Sequence, residues 1–94
     1  MVGPMAGEEL VAHLRRLGDE VAEFGLRARV CAERNGWPYL RVVNPEAETM
    51  AENVSCATGA YVWSWGDRIG PVGNPRRVAL VIARVLAVRE DAPG

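Results

Sequence analysis

The chain has 94 residues and a formal net charge of −1 at pH 7, with 49% hydrophobic and 24% charged residues. That length accommodates one domain and no second one, and the mixing of apolar with charged residues excludes a disordered chain. The near-zero charge offers no global attraction to nucleic acid or to an anionic membrane.

All eleven basic residues are arginine, a side chain suited to bidentate pairing and to stacking on aromatic rings. No apolar run approaches the roughly 20 residues that span a bilayer, and the first residues lack the basic and apolar regions of a secretory signal. The expectation is a cytoplasmic protein in which Cys31 and Cys56 are reduced. Residues 1–6 and 90–94, which hold Gly3, Pro4 and Pro93, read as flexible termini around a single domain over 7–89.

Residues 7–24 read as a helix. Leu10, Val11, Leu14, Leu17, Val21 and Phe24 fall at helical spacing, Glu8 and Glu9 suit the first turn, and Gly25 suits the stop. Gly18 interrupts the pattern and offers an earlier end. Residues 26–33 then alternate, with Leu26, Ala28 and Val30 on one side and Arg27, Arg29 and Cys31 on the other. Asn35-Gly36 predicts a two-residue hairpin turn, and residues 37–43 form the return strand, which Asn44-Pro45 ends.

Residues 46–50 read as a polar connection and 51–57 as a weaker third strand, followed by a turn at Thr58-Gly59. Residues 60–65 read as a fourth strand with Tyr61, Trp63 and Trp65 on one face. Residues 66–73 read as a Gly/Pro loop. Asn74-Pro75 then supplies an N-cap and a first-turn proline for a helix over 76–89, with an apolar face of Val78, Val81, Ile82, Val85 and Leu86. The expected fold is α+β: helix, a sequential antiparallel meander of three or four strands, helix, with both helices on one sheet face.

Few residues suggest chemistry. His13 is the sole histidine and falls beside or opposite the apolar stripe of its helix, which predicts a surface position. One histidine and two separated cysteines do not make a metal site, and Cys31 and Cys56 meet only if the first and third strands are close. Glu46, Glu48 and Glu52 read as a solvated connection rather than an acid–base pair. Gly66, Gly70 and Gly73 lack the Gly-Lys-Ser/Thr ending of a phosphate loop. No cofactor, metal or catalytic residue is expected, and Asp67 beside Arg68 reads as a local ion pair.

The segment from Tyr61 to Pro71 stands out. Tyr61, Trp63 and Trp65 form an aromatic row, and Trp37 with Tyr39 forms a shorter one. Either the rings are core under the helices, or they lie on the helix-free face with Arg27, Arg29 and Arg41, a mixture typical of interface hot spots. On the second reading the binding residues are Trp37, Tyr39, Arg41, Tyr61, Trp63, Trp65 and Arg68.

The run Ser64-Trp65-Gly66-Asp67-Arg68-Ile69, followed by a Pro/Gly loop and an Ala/Val-rich helix, resembles a pattern in small uncharacterised actinobacterial α+β proteins; the resemblance implies no activity. The element order also resembles the double-stranded-RNA-binding fold, with Arg76 and Arg77 at the start of the second helix, although the absence of lysine and the charge balance depart from it. The leading expectation is a non-enzymatic interaction module that dimerises or holds a protein partner. The alternatives are a small-molecule or peptide-binding accessory protein of secondary metabolism using Trp63, Trp65 and Arg68, and nucleic-acid binding through Arg76 and Arg77.

Overall fold

A computed structural model describes residues 7–86. The elements are α1 (Gly7–Ala22), β1 (Arg27–Ala32), β2 (Pro38–Asn44), β3 (Ala47–Ala57), β4 (Ala60–Trp63), β5 (Arg68–Pro71) and α2 (Pro75–Val85). All neighbouring strands are antiparallel and the sheet order is β1-β2-β3-β4-β5. Both helices pack on the sheet, α1 over β1 and β2 and α2 over β5. The fold is α+β as expected, with five strands. The readings for residues 1–6 and 87–94, including the last turn expected of the second helix, lie outside the described residues.

α1 buries Leu10, Leu14, Leu17 and Val21. Gly18 does not end it. A Cβ at Gly18 would lie 3.5 Å from Leu40 Cδ1 and 3.6 Å from Ala28 Cβ, so the small residue marks where the helix runs close above β1 and β2. The helix stops at Gly25, whose φ of +86° is open to glycine. The Leu26 N–H donates to the Val21 carbonyl and the Gly25 N–H to the Ala22 carbonyl, closing the last turn in a Schellman motif. Leu26 and Val21 are both in the core.

The hairpin loops explain where strands begin and end. At Asn35-Gly36 the turn is one residue longer than the two-residue form expected. The Glu33 N–H donates to Trp37 O (2.9 Å), the Gly36 N–H donates to Glu33 O (2.7 Å), and Gly36 has φ +88°. This is a three-residue loop ending in a left-handed glycine. The same arrangement recurs at Trp63–Asp67, where the Trp63 N–H donates to Asp67 O, the Gly66 N–H donates to Trp63 O, and Gly66 has φ +102°. Ser64 and Trp65 are therefore turn residues, β4 ends at Trp63, and the chain returns at once as β5. The loop expected over 66–73 thus holds a fifth strand. Its Arg-Ile-Gly-Pro sequence has no alternation to read, and its Pro71 is at home on an edge strand.

The expected polar connection over 46–50 is strand from Ala47 onward. Asn44 and Ala47 flank a tight turn at Pro45-Glu46, and the Glu46 N–H donates to Asn44 Oδ1 at 2.9 Å. Val43 faces Ala51 while Asn44 faces Ala47, so Glu48, Thr49 and Met50 bulge from β3 without a β2 partner. All three are exposed. Thr58-Gly59 is the two-residue turn expected, with φ of 49° and 77°.

α2 begins as expected: Asn74 Oδ1 accepts from the Arg77 N–H, and Pro75 occupies the first turn. Its buried stripe is Val78, Ala79, Ile82, Ala83 and Leu86. Val81 and Val85, expected to face inward, are exposed, because the small side chains of Ala79 and Ala83 bring the helix down on that flank instead.

Candidate interaction surface

Register assigns each side chain to a face. Val30, Leu40, Val54 and Trp63 lie in one row across four strands, and Cys56 and Tyr61 lie in the next. Leu40, Val54, Cys56, Tyr61 and Trp63 are buried beneath the helices. Their neighbours in sequence, Tyr39, Arg41 and Val43 on β2 and Asn53 and Ser55 on β3, point to the helix-free face.

The two aromatic rows therefore do not share a face. Tyr61 and Trp63 are core, and the Tyr61 hydroxyl donates to His13 O at 2.7 Å. Tyr39 is half-buried on the open face opposite Cys31. Trp37 (45% exposed) ends the first hairpin loop and Trp65 (56% exposed) sits in the last. Trp65 folds back onto Trp63, with ring centroids 5.0 Å apart and planes 8° from parallel. The Trp65 Nε1–H donates to Asp67 Oδ2 at 2.9 Å. Asp67 thus anchors the indole rather than pairing with Arg68; among the described residues the ion pair is Arg76–Glu20. Arg68 is exposed on β5 opposite Val62.

Cys31 and Cys56 are both free thiols on opposite faces, with β2 between their strands. Burial pushes the Cys56 thiol up to about 11, which makes it a poor nucleophile and a poor ligand. The phenol of Tyr61 is pushed up to about 12, first by burial and then by Cys56 opposite it, with Arg16 acting the other way. Tyr39 is raised first by the charge of the Cys31 thiolate opposite, then by burial. His13 is half-buried rather than on the surface, and its Nδ1 is buried without a hydrogen-bond partner. No group of three or more His, Cys, Asp or Glu residues capable of holding a metal exists among the described residues.

Charge gathers on the β1 side of the open face. Arg29 stands directly opposite Arg41, and Arg27 lies two residues along β1 opposite Val43. All three arginines are exposed. The Arg41 guanidinium donates to Asn53 Oδ1 at 3.0 Å, which orients it across β3. Arg27, Arg29 and Arg41 line a shallow cavity of about 410 Å³ together with Ala28, Val43 and Glu48. No carboxylate of the described residues comes within ion-pair distance of any of the three. In the sequence Arg27 and Arg29 stand only as companions of the aromatics; strand alternation is the signal that puts them together.

The surface that results belongs to a five-stranded α+β domain with one face covered by helices and an arginine-bearing face that no helix of the described residues covers. No protein-family model, no curated protein and no solved structure matches the chain. No helix among the described residues is long and apolar enough to cross a membrane.

Proposed function

We propose that this domain is a non-enzymatic protein-interaction module whose helix-free sheet face binds an acidic protein surface. The observation that carries the reading is the direct cross-strand pairing of Arg29 with Arg41, with Arg27 beside them and no carboxylate of the described residues in ion-pair contact. Like charges directly opposite in a sheet are destabilising. Anionic groups docked across the strands relieve that repulsion and find guanidinium forks suited to carboxylates. Tyr39 adds an amphipathic ring of the kind favoured at interfaces.

A protein partner fits better than nucleic acid. The chain has no net positive charge, and Arg76, the first arginine of α2, is already paired with Glu20. The test is an NMR titration of the labelled domain with an oligoglutamate peptide at low salt, with double-stranded RNA as the second arm. The expected result is shifts confined to Arg27, Arg29, Tyr39, Arg41 and Asn53 with the peptide, abolished by Arg29→Glu. Shifts centred on α2, or tighter binding of RNA at equal salt, overturn the reading.

A further inference from the structure

β1 is an edge strand of six residues without proline or lysine, and its outer side has no partner among the described residues. Such an edge is a template for another strand. Its hydrogen-bonding phase follows from the hairpin. The Glu33 N–H donates inward to Trp37 O, and narrow and wide pairs alternate along an antiparallel ladder. Arg27, Arg29 and Cys31 therefore bond to β2, whereas Ala28, Val30 and Ala32 present their N–H and C=O groups outward.

We propose that β1 pairs antiparallel with β1 of a second copy, Val30 against Val30 on a two-fold axis, so that two five-stranded sheets join into one of ten strands. The phase admits only registers that pair outward residues with outward residues. In the Val30-centred register Ala28 meets Ala32 of the second copy, and the hydrogen-bonded pairs use every outward group of β1. On the open face the same register sets Arg27 against Glu33 of the second copy, twice by symmetry. Sliding by one repeat in one direction sets Arg29 against Arg29, a like-charge pair. Sliding in the other keeps an opposite-charge pair, Arg29 against Glu33, but sets Ala28 against Arg34 in the hairpin turn and Cys31 against Cys31.

The helix side of the edge leaves room for this contact. Two grooves run along β1 beneath α1, of about 620 and 480 Å³, meeting at Arg15 and Val30. Their helix wall includes Val11, Ala12, Gly18 and Ala22, and Val11 and Val30 are only half-buried. A Cβ at Gly18 would meet both Ala28 and Leu40, so α1 lies above the gap between β1 and β2. With strands roughly 4.8 Å apart, the two copies of α1 come to lie about 10 Å apart, within the usual helix-packing distance. This inference concerns the edge of β1 and shares only Arg27 with the arginine face.

Size-exclusion chromatography with light scattering on the full chain tests it. The expected mass is twice the 10.2 kDa of one chain. Arg27→Glu and Glu33→Arg are each expected to weaken association about tenfold, from two reversed cross-strand pairs per dimer, and the double variant R27E/E33R to restore it. Val30→Pro removes an outward N–H, which an edge strand tolerates, and is expected to give a monomer. Arg41→Glu, on β2, is expected to leave the dimer intact while abolishing oligoglutamate binding, which separates the two proposals. A wild-type monomer at high micromolar concentration, a double variant that fails to recover, or an oxidised dimer linked through Cys31 overturns the pairing.

Discussion

The Tyr61 hydroxyl donates to the main-chain carbonyl of His13 at 2.7 Å, a hydrogen bond that ties β4 to α1 across the core. Residues 48 positions apart in the chain meet there, and the ring itself is fully buried. Tyr61→Phe keeps the ring and removes only the donor. It is expected to lower unfolding free energy by about 1 kcal/mol, read as a lower urea midpoint at unchanged m-value.

The same tyrosine and its cross-strand neighbour Cys56 are expected to make stability fall at alkaline pH. Their folded-state values are raised from 10.0 to about 12 and from 9.0 to about 11. Each is an acid whose neutral form the fold favours. As pH rises past the lower value the unfolded chain loses the proton first, so it holds fewer protons than the native state and stability falls. The loss runs from about 9 to about 11 for Cys56 and from about 10 to about 12 for Tyr61. Neither contributes below that range. Urea midpoints followed through the alkaline range are expected to fall less steeply in Tyr61→Phe and in Cys56→Ala than in the wild type.

Gly70 and Gly18 are glycines for different reasons, and alanine separates them. A Cβ at Gly70 would lie 2.8 Å from Val78 Cγ2, and Val78 is fully buried. Gly70→Ala is expected to cost about 1–3 kcal/mol by overpacking, and Val78→Ala in the same chain to recover part of it, a coupling that a double-mutant cycle measures. At Gly18 the neighbours are at ordinary contact distance and the backbone is helical. Gly18→Ala is therefore expected to stabilise by about 0.5–1 kcal/mol through helix propensity.

Much of this architecture is legible in the sequence, for reasons that can be named. α1 shows itself by a four-residue rhythm ending at Gly25, α2 by Asn74-Pro75, β1 by strict alternation, and β2 as the return strand after Asn35-Gly36. β5 is hidden because Arg68–Pro71 is too short and too rich in Gly and Pro to alternate. The Trp63–Trp65 spacing imitates a strand, yet Gly66 pulls Trp65 into a turn. In α2, two alanines outcompete Val81 and Val85 for the core because close approach matters more than side-chain size at that flank. The arginine cluster is legible only once register is known. Arg29 and Arg41 are twelve positions apart, and only the three-residue length of the first loop makes them directly opposed.

The Trp63–Trp65 pair is a structural device, and its removal is measurable. Trp63 is nearly buried and Trp65 is more than half exposed, so the outer ring acts as a lid on the inner one. Its indole is fixed by the Asp67 carboxylate, which accepts the Nε1–H two residues along the turn. Trp65→Ala removes the stack and uncovers Trp63, at an expected cost of about 0.5–1.5 kcal/mol beyond the lost area. Asp67→Asn keeps an acceptor but loses its charge, so the indole is held more weakly and the cost is smaller. Exciton coupling between the stacked indoles in far-ultraviolet circular dichroism is expected to vanish in Trp65→Ala and to persist, reduced, in Asp67→Asn. Trp63 emission is expected to shift to the red only in the alanine variant. If the coupling signal survives in Trp65→Ala, the two rings are not the pair responsible for it, and the lid role fails.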